Sequence, residues 1–330
     1  MKRAVCLLTT LCLAGTALVS CSNEPVEPSG DGEGDVVVIS AQVVESSESS
    51  ESSEAAATTA EETEPVETTE ETEPAAPEDA VIPEGYHFVW SDEFNGDTLS
   101  YDWIHEVQSP GWVNNELQRY SDSEDYSYVA DGDLVIQPAI GYNDDGTPKY
   151  YSARINSFLG FSFQYGYIEA RIKVPEGQGF LPAFWMLPET NENGGWPEAG
   201  EIDIMEVVGY QPDTLYSTLH YGNPHEMSQG SITPGGNLYD DYHVYACEWT
   251  PEKISFYLDG ELFFEETEWY SVTYQGKENE YPAPFNVEFY IIFNVAVGGD
   301  WPGDPDETTP FDERAQMRVD WVRVYQLDEE

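Results

Sequence analysis

The sequence predicts an all-β domain, a sandwich or a barrel, and three observations carry that expectation. Short runs alternate apolar and polar residues at period two, Gly, Pro and Asp-Gly pairs punctuate them, and scarcely any stretch keeps a helical period. In Tyr167-Ile168-Glu169-Ala170-Arg171-Ile172-Lys173-Val174 the alternation is strict, which predicts a strand with one buried face. Leu134-Val135-Ile136 follows Asp131-Gly132, a pair suited to the tight turn that enters a strand. Ile254 to Phe264 reads as a hairpin about Asp259-Gly260, and Val287 to Val297 and Met317 to Gln326 complete the set. No internal repeat is visible. Residues 83–330, dense in Trp, Tyr, Phe and Gly, are enough for a single all-β domain.

What precedes them has a different composition. Met1-Lys2-Arg3 is basic, and residues 4–20 are apolar or small, ending in Leu18-Val19-Ser20 before Cys21. That stretch is short for a bilayer span of about 20 residues and suits a cleaved signal (residues 1–20). Leu-Val-Ser-Cys resembles the bacterial lipobox, which implies lipid on Cys21 and a place on the outer side of a bacterial membrane; an ordinary signal peptide containing Cys is the alternative. Residues 21–82 are mostly Ser, Thr, Glu, Pro and Ala without an aromatic; only Val36-Val37-Val38-Ile39 breaks the pattern, too short to make a core, so the stretch cannot bury enough apolar surface to offset ordering entropy. They read as a disordered, self-repelling tether with an r.m.s. reach of at least about 45 Å.

Cys6 and Cys12 would leave with the signal and Cys21 would carry lipid. Cys247 is then alone, so stability must come from a core rather than a disulfide. Cys247 alternates with Tyr245 and Trp249, which suits a packing thiol. The net charge of −52 would repel nucleic acid and anionic polymers, so a neutral partner is expected.

The segment that carries chemistry is Gly200-Glu201-Ile202-Asp203-Ile204-Met205-Glu206. Alternation puts Glu201 and Asp203 on one face and Ile202 and Ile204 in the core. Glu206 has the wrong parity unless one extra residue, near Met205, is absorbed in a bulge. The three carboxyl groups then share a face. Such crowding pushes pKa values apart, leaving one group ionised beside another that holds a proton, as a retaining glycosidase needs. A solvated acidic strand or a metal site would use the same residues.

Trp196-Pro197-Glu198-Ala199-Gly200-Glu201-Ile202-Asp203-Ile204-Met205-Glu206 resembles the active-site signature of glycoside hydrolase family 16 in its laminarinase-like, six-residue form. The resemblance runs over residues 86–326. It takes in Trp90-Ser91-Asp92-Glu93-Phe94, Asn114-Asn115-Glu116-Leu117-Gln118, Gly166 to Arg171, Pro182 to Leu187, Asn294 to Gly303 and Val319 to Tyr325. It implies a concanavalin A-like β-jelly-roll of two antiparallel sheets with a concave substrate cleft. Glu201 would be the nucleophile, Glu206 the acid/base, and Asp203 the group that hydrogen-bonds the nucleophile. Trp185, Trp196 and Trp301 would stack on sugar faces. Asn114, Glu169, Arg171, His220 and Asn294 would bind hydroxyls in the cleft. Glu93, the Gly132 carbonyl and Asp320 would hold a structural calcium ion on the far face, with no cofactor for catalysis. Leu181 stands where many relatives have Trp.

The activity implied is endo-hydrolysis of a neutral β-glucan, β-1,3-linked and with β-1,3-1,4-glucan as a second substrate, by a monomer. A non-catalytic glucan-binding protein on the same fold would have lost catalytic carboxylates, and here all three are present. A transglycosylase, or an agarase-like enzyme, would share them.

Overall fold

The structure, a computed structural model, describes residues 74–328; the signal, Cys21 and most of the tether lie outside the described residues. Nineteen strands follow in chain order. They begin with β1 (Tyr86–Asp92), β2 (Ile104–His105), β3 (Gln118–Tyr120), β4 (Ser127–Ala130), β5 (Asp133–Ile136), β6 (Ala139–Tyr142) and β7 (Pro148–Ser152). Then come β8 (Arg154–Asn156), β9 (Ser162–Phe163), β10 (Gly166–Lys173), β11 (Phe180–Pro188), β12 (Glu201–Val207) and β13 (Leu215–Tyr221). The last are β14 (Glu226–Ile232), β15 (His243–Trp249), β16 (Ile254–Leu258), β17 (Glu261–Glu266), β18 (Phe289–Val297) and β19 (Met317–Leu327).

Two eight-stranded antiparallel sheets make the expected jelly-roll sandwich. The first runs β17-β16-β15-β10-β19-β5-β4, with β1 also on β19; the second runs β14-β13-β12-β11-β18-β8-β2, with β9 on β18. A small three-stranded sheet, β3-β7-β6, stands beside them. The two expected Asp-Gly turns join β4 to β5 and β16 to β17, with positive φ at Asp131, Gly132, Asp259 and Gly260, the backbone that a two-residue hairpin loop requires.

Between the sheets the inward side chains form one core. Phe184 of β11 stacks on Phe293 of β18 at 4.9 Å, and Trp249 of β15 meets Phe289 edge-on at 5.2 Å. Truncating such a buried ring to Ala costs about 3–5 kcal/mol. Cys247 is buried among them as a packing thiol, and burial pushes its pKa well up.

One expectation about the site fails at this level. Glu169 and Arg171 lie on β10, in the first sheet, whose inward residues Ile168, Ala170 and Ile172 are fully buried. Their side chains face out on the side of the sandwich opposite β12, so they are not in the cleft floor. Glu169 accepts from the Tyr325 hydroxyl at 3.1 Å, and Arg171 pairs with Asp320. Strand parity was read correctly; which sheet received the strand was not.

Candidate active site

The outward face of the second sheet collects site residues from five adjacent strands. Register places Arg154 of β8 opposite Asn294 of β18, Asn294 opposite Ala183 of β11, and Ala183 opposite Glu206 of β12. On the far side of β12, Glu201 faces His220 and Asp203 faces Thr218 of β13. The bulge expected near Met205 is present. Between the pairs Asp203–Thr218 and Glu206–Tyr216, one residue of β13 (Ser217) stands opposite two of β12 (Ile204 and Met205), and on β11 the irregularity falls between Phe184 and Trp185. Ile204 and Met205 both turn into the core, at 1% and 0% exposure, and Glu206 comes out beside Glu201 and Asp203.

The surroundings give the three carboxyl groups different roles. Burial, then the charge of Glu201, raises Glu206 to about 8, so it holds a proton at neutral pH. Thr218 Oγ1 donates to its Oε2 at 3.3 Å. Burial also raises Glu201, to about 7, against three opposing influences: the indole N–H of Trp196, 2.9 Å from Oε2, the Arg154 guanidinium and the Asp203 carboxyl. Asp203 is pushed well up by burial and then by the charges of Glu201 and Glu206, so it holds its proton. A proton on Asp203 offered to Glu201 favours the ionised form of Glu201 and lowers its pKa. Burial and then His225 hold His220 down at about 4, so its ring is neutral.

Trp185 Nε1 donates to Asn294 Oδ1 at 2.7 Å, and Asn294 Nδ2 to the Tyr120 hydroxyl at 3.1 Å. The Arg154 guanidinium lies 4.5 Å from the Trp185 ring centroid and 5.1 Å from that of Trp112, and its Nε pairs with Glu106. Trp196 is exposed, with its ring 5.0 Å from His225, and Trp301 sits edge-on to Tyr216 at 5.3 Å. Asn114 acts through its backbone: its carbonyl accepts from Asp300 N at 2.9 Å and steadies the loop carrying Trp301. Sequence reasoning missed Arg154, Trp112, Tyr120, Thr218 and His225. Only the structure shows that β8 borders β18, and the pair of histidines five residues apart across a turn was the one available signal.

On the other sheet, Glu93 follows the end of β1 and Gly132 precedes β5, two strands that share one edge of β19. Asp320 is the bulged residue between the two pairings. The Glu93 carboxylate is not available as a ligand, since both oxygens accept from Arg323 at 3.0 and 2.8 Å. The backbone carbonyls of Glu93 and Gly132 accept no main-chain hydrogen bond outside the strand ladders among the described residues. Hard oxygens of this kind, with Asp320, are what calcium would take if it bound here; Arg171 holds one Asp320 oxygen.

A bulged strand that brings two buried glutamates out on the open face of a jelly-roll, rimmed by tryptophans, defines a glycoside hydrolase of the two-carboxylate kind. Residues 88–327 match the family described as "Beta-porphyranase A-D, GH16 domain", and the chain belongs to glycoside hydrolase family 16. It is 37% identical over 270 residues to glucan endo-1,3-beta-glucosidase A1 of Niallia circulans, covering 76% of this chain and 39% of that protein. To a beta-glucanase of Rhodothermus marinus it is 37% identical over 251 residues, covering 73% and 85%. The solved laminarinase from Rhodothermus marinus superposes with a TM-score of 0.64 at 35% identity, covering 74% of this chain and 98% of that one.

Proposed function

We propose that the protein is a retaining endo-β-glucanase that cuts internal β-1,3 bonds of a neutral glucan, with β-1,3-1,4-glucan as a second substrate. The observation that carries the reading is the bulged Glu201-Asp203-Glu206 face. Glu206 protonates the glycosidic oxygen while Glu201 attacks the anomeric carbon, giving a glycosyl-enzyme and a first inversion. Glu206, now ionised, takes a proton from water as it attacks, and the second inversion restores the configuration. Asp203 donates to Glu201, and Trp196 shares that task. Trp185, Trp196 and Trp301 offer flat apolar faces to sugar rings.

Charge supports a neutral substrate. Arg154 is the one Lys or Arg on the strands of the second sheet, and Glu106 and two tryptophan rings already engage it. A sulfated galactan would find little to hold it. Leu181 faces out beside Ala296 on the same face, where an aromatic ring would add a stacking surface. A reducing-end assay on laminarin, barley β-glucan, lichenan, agarose and xylan tests the reading, and Leu181→Trp should shift kcat/KM toward laminarin. Cleavage of agarose alone would contradict the substrate class and leave the carboxylate pair standing.

The sequence supports residues 1–20 as signal, residues 21–82 as tether and 83–330 as a monomeric catalytic domain held at the outer side of a membrane by lipid on Cys21. Cys21→Ser should release the enzyme into the medium at unchanged specific activity; membrane retention of that variant would contradict the anchor.

A further inference from the structure

Three polar atoms, Asp203 Oδ2, Glu201 Oε1 and His220 Nε2, converge beside the nucleophile, and no hydrogen bond joins them. Asp203 is 3% exposed, and its Oδ2 makes no hydrogen bond. That oxygen lies 3.4 Å from His220 Nε2, and Glu201 Oε1 lies 3.9 Å from the same nitrogen. The hydrogen bond of the His220 ring runs through its other nitrogen, Nδ1, to His225 Nε2 at 2.9 Å. In the tautomer whose Nδ1–H donates to His225, Nε2 presents its lone pair toward the Asp203 and Glu201 oxygens, where a cation would sit. A buried oxygen without a partner costs roughly 1–3 kcal/mol, so the arrangement is one that a cation relieves.

We propose that Glu201, Asp203 and His220 form a site for a borderline divalent cation of the zinc type, and that its occupation reversibly switches the enzyme off. One imidazole nitrogen and two carboxylate oxygens are the donors such ions take in open sites, with a fourth position left for water. Zn–N and Zn–O bonds of about 2.0–2.2 Å at a tetrahedral angle put two donor atoms roughly 3.3–3.4 Å apart, close to the Asp203–His220 separation. Glu201 Oε1 lies 3.9 Å from His220 Nε2, and the three donor atoms all lie within 4.8 Å of one another, so the glutamate closes in on the ion. Its side chain and that of His220 are 16% and 19% exposed, so both have room to adjust and an ion can enter from the cleft.

The outer partners are already in place. Metal-bound histidines hold their second nitrogen in a hydrogen bond, as His220 does with His225, and Glu201 Oε2 is fixed by Trp196. An ion in this position takes the Glu201 oxygen that would attack the sugar. Occupied, the site acts as a brake and competes with substrate.

The test is calorimetric titration of the full chain with ZnCl2, which does not depend on the glucan assignment. A single stoichiometric site is expected in wild type, with inhibition of glucan hydrolysis lifted by EDTA. Co2+ in the same site should show the visible absorption of a four-coordinate centre with a nitrogen ligand. His220→Asn should abolish that site while melting within a few degrees of wild type, and His225→Phe should weaken it about 10-fold or more. Identical zinc isotherms for wild type and His220→Asn would overturn the proposal, as would a cobalt spectrum unchanged by that substitution.

Discussion

The indole N–H of Trp196 donates to Glu201 Oε2 at 2.9 Å, so an aromatic ring 57% exposed to solvent is tied directly to the nucleophile. One residue thus serves sugar stacking and ionisation of the attacking group.

Trp196→Phe separates those two tasks. It keeps a ring and removes the donor, so Glu201 should titrate higher and the acid limb of the kcat/KM profile should move to higher pH. A hydrogen bond to a charged group contributes about 1.5–3 kcal/mol, which corresponds to a loss of roughly 10-fold or more in kcat/KM below neutral pH. An unmoved acid limb would show that the indole does not set the nucleophile's charge.

Asp203 is assigned as a donor to Glu201, and an amide donates as well as a protonated carboxyl. Asp203→Asn should therefore retain a measurable fraction of kcat, whereas Asp203→Ala should lose at least about 10-fold more. Equal losses in the two variants would mean that Asp203 acts by charge or packing instead.

Much of this was legible in the chain. The parity conflict in Glu201-Ile202-Asp203-Ile204-Met205-Glu206 required a bulge, and β12 has it in that segment. The strict alternation of β10 and the two Asp-Gly turns also appear as read. Sheet membership was not legible: period two states which residues of β10 face together but not which sheet receives them, so Glu169 and Arg171 were put on the wrong side. Arg154 was invisible for a related reason, since it sits 140 positions from its partner Asn294 and no local pattern marks it.

The raised pKa of Glu206 makes stability fall with pH. Its folded value of about 8 lies above the ordinary 4.5, so between those values the native state holds a proton that the unfolded chain releases. The stability this confers is complete below about pH 4.5 and is lost as pH rises through 8. Glu206→Gln cannot ionise and should melt above wild type at pH 8, by roughly 3 °C or more, with the gap closing toward pH 5. A difference independent of pH would contradict the burial of a protonated Glu206.

Calcium bound at Asp320 and the carbonyls of Glu93 and Gly132 would stabilise the native state by mass action, by about 2.7 kcal/mol at 100 times its Kd. Differential scanning calorimetry with and without Ca2+ should show a rise in Tm at unchanged kcat, and Asp320→Ala should abolish it. A rise that survives Asp320→Ala would place the ion elsewhere.

The division of labour between Glu201 and Glu206 is the central claim, and azide rescue on an activated aryl β-glucoside tests it most directly. Glu206→Ala still forms the glycosyl-enzyme from a good leaving group, so azide should trap a β-glycosyl azide by a second inversion. Glu201→Ala lacks the nucleophile, and azide attacking directly should give the α-glycosyl azide. The α product from Glu206→Ala and the β product from Glu201→Ala, read by NMR, would reverse the assignment.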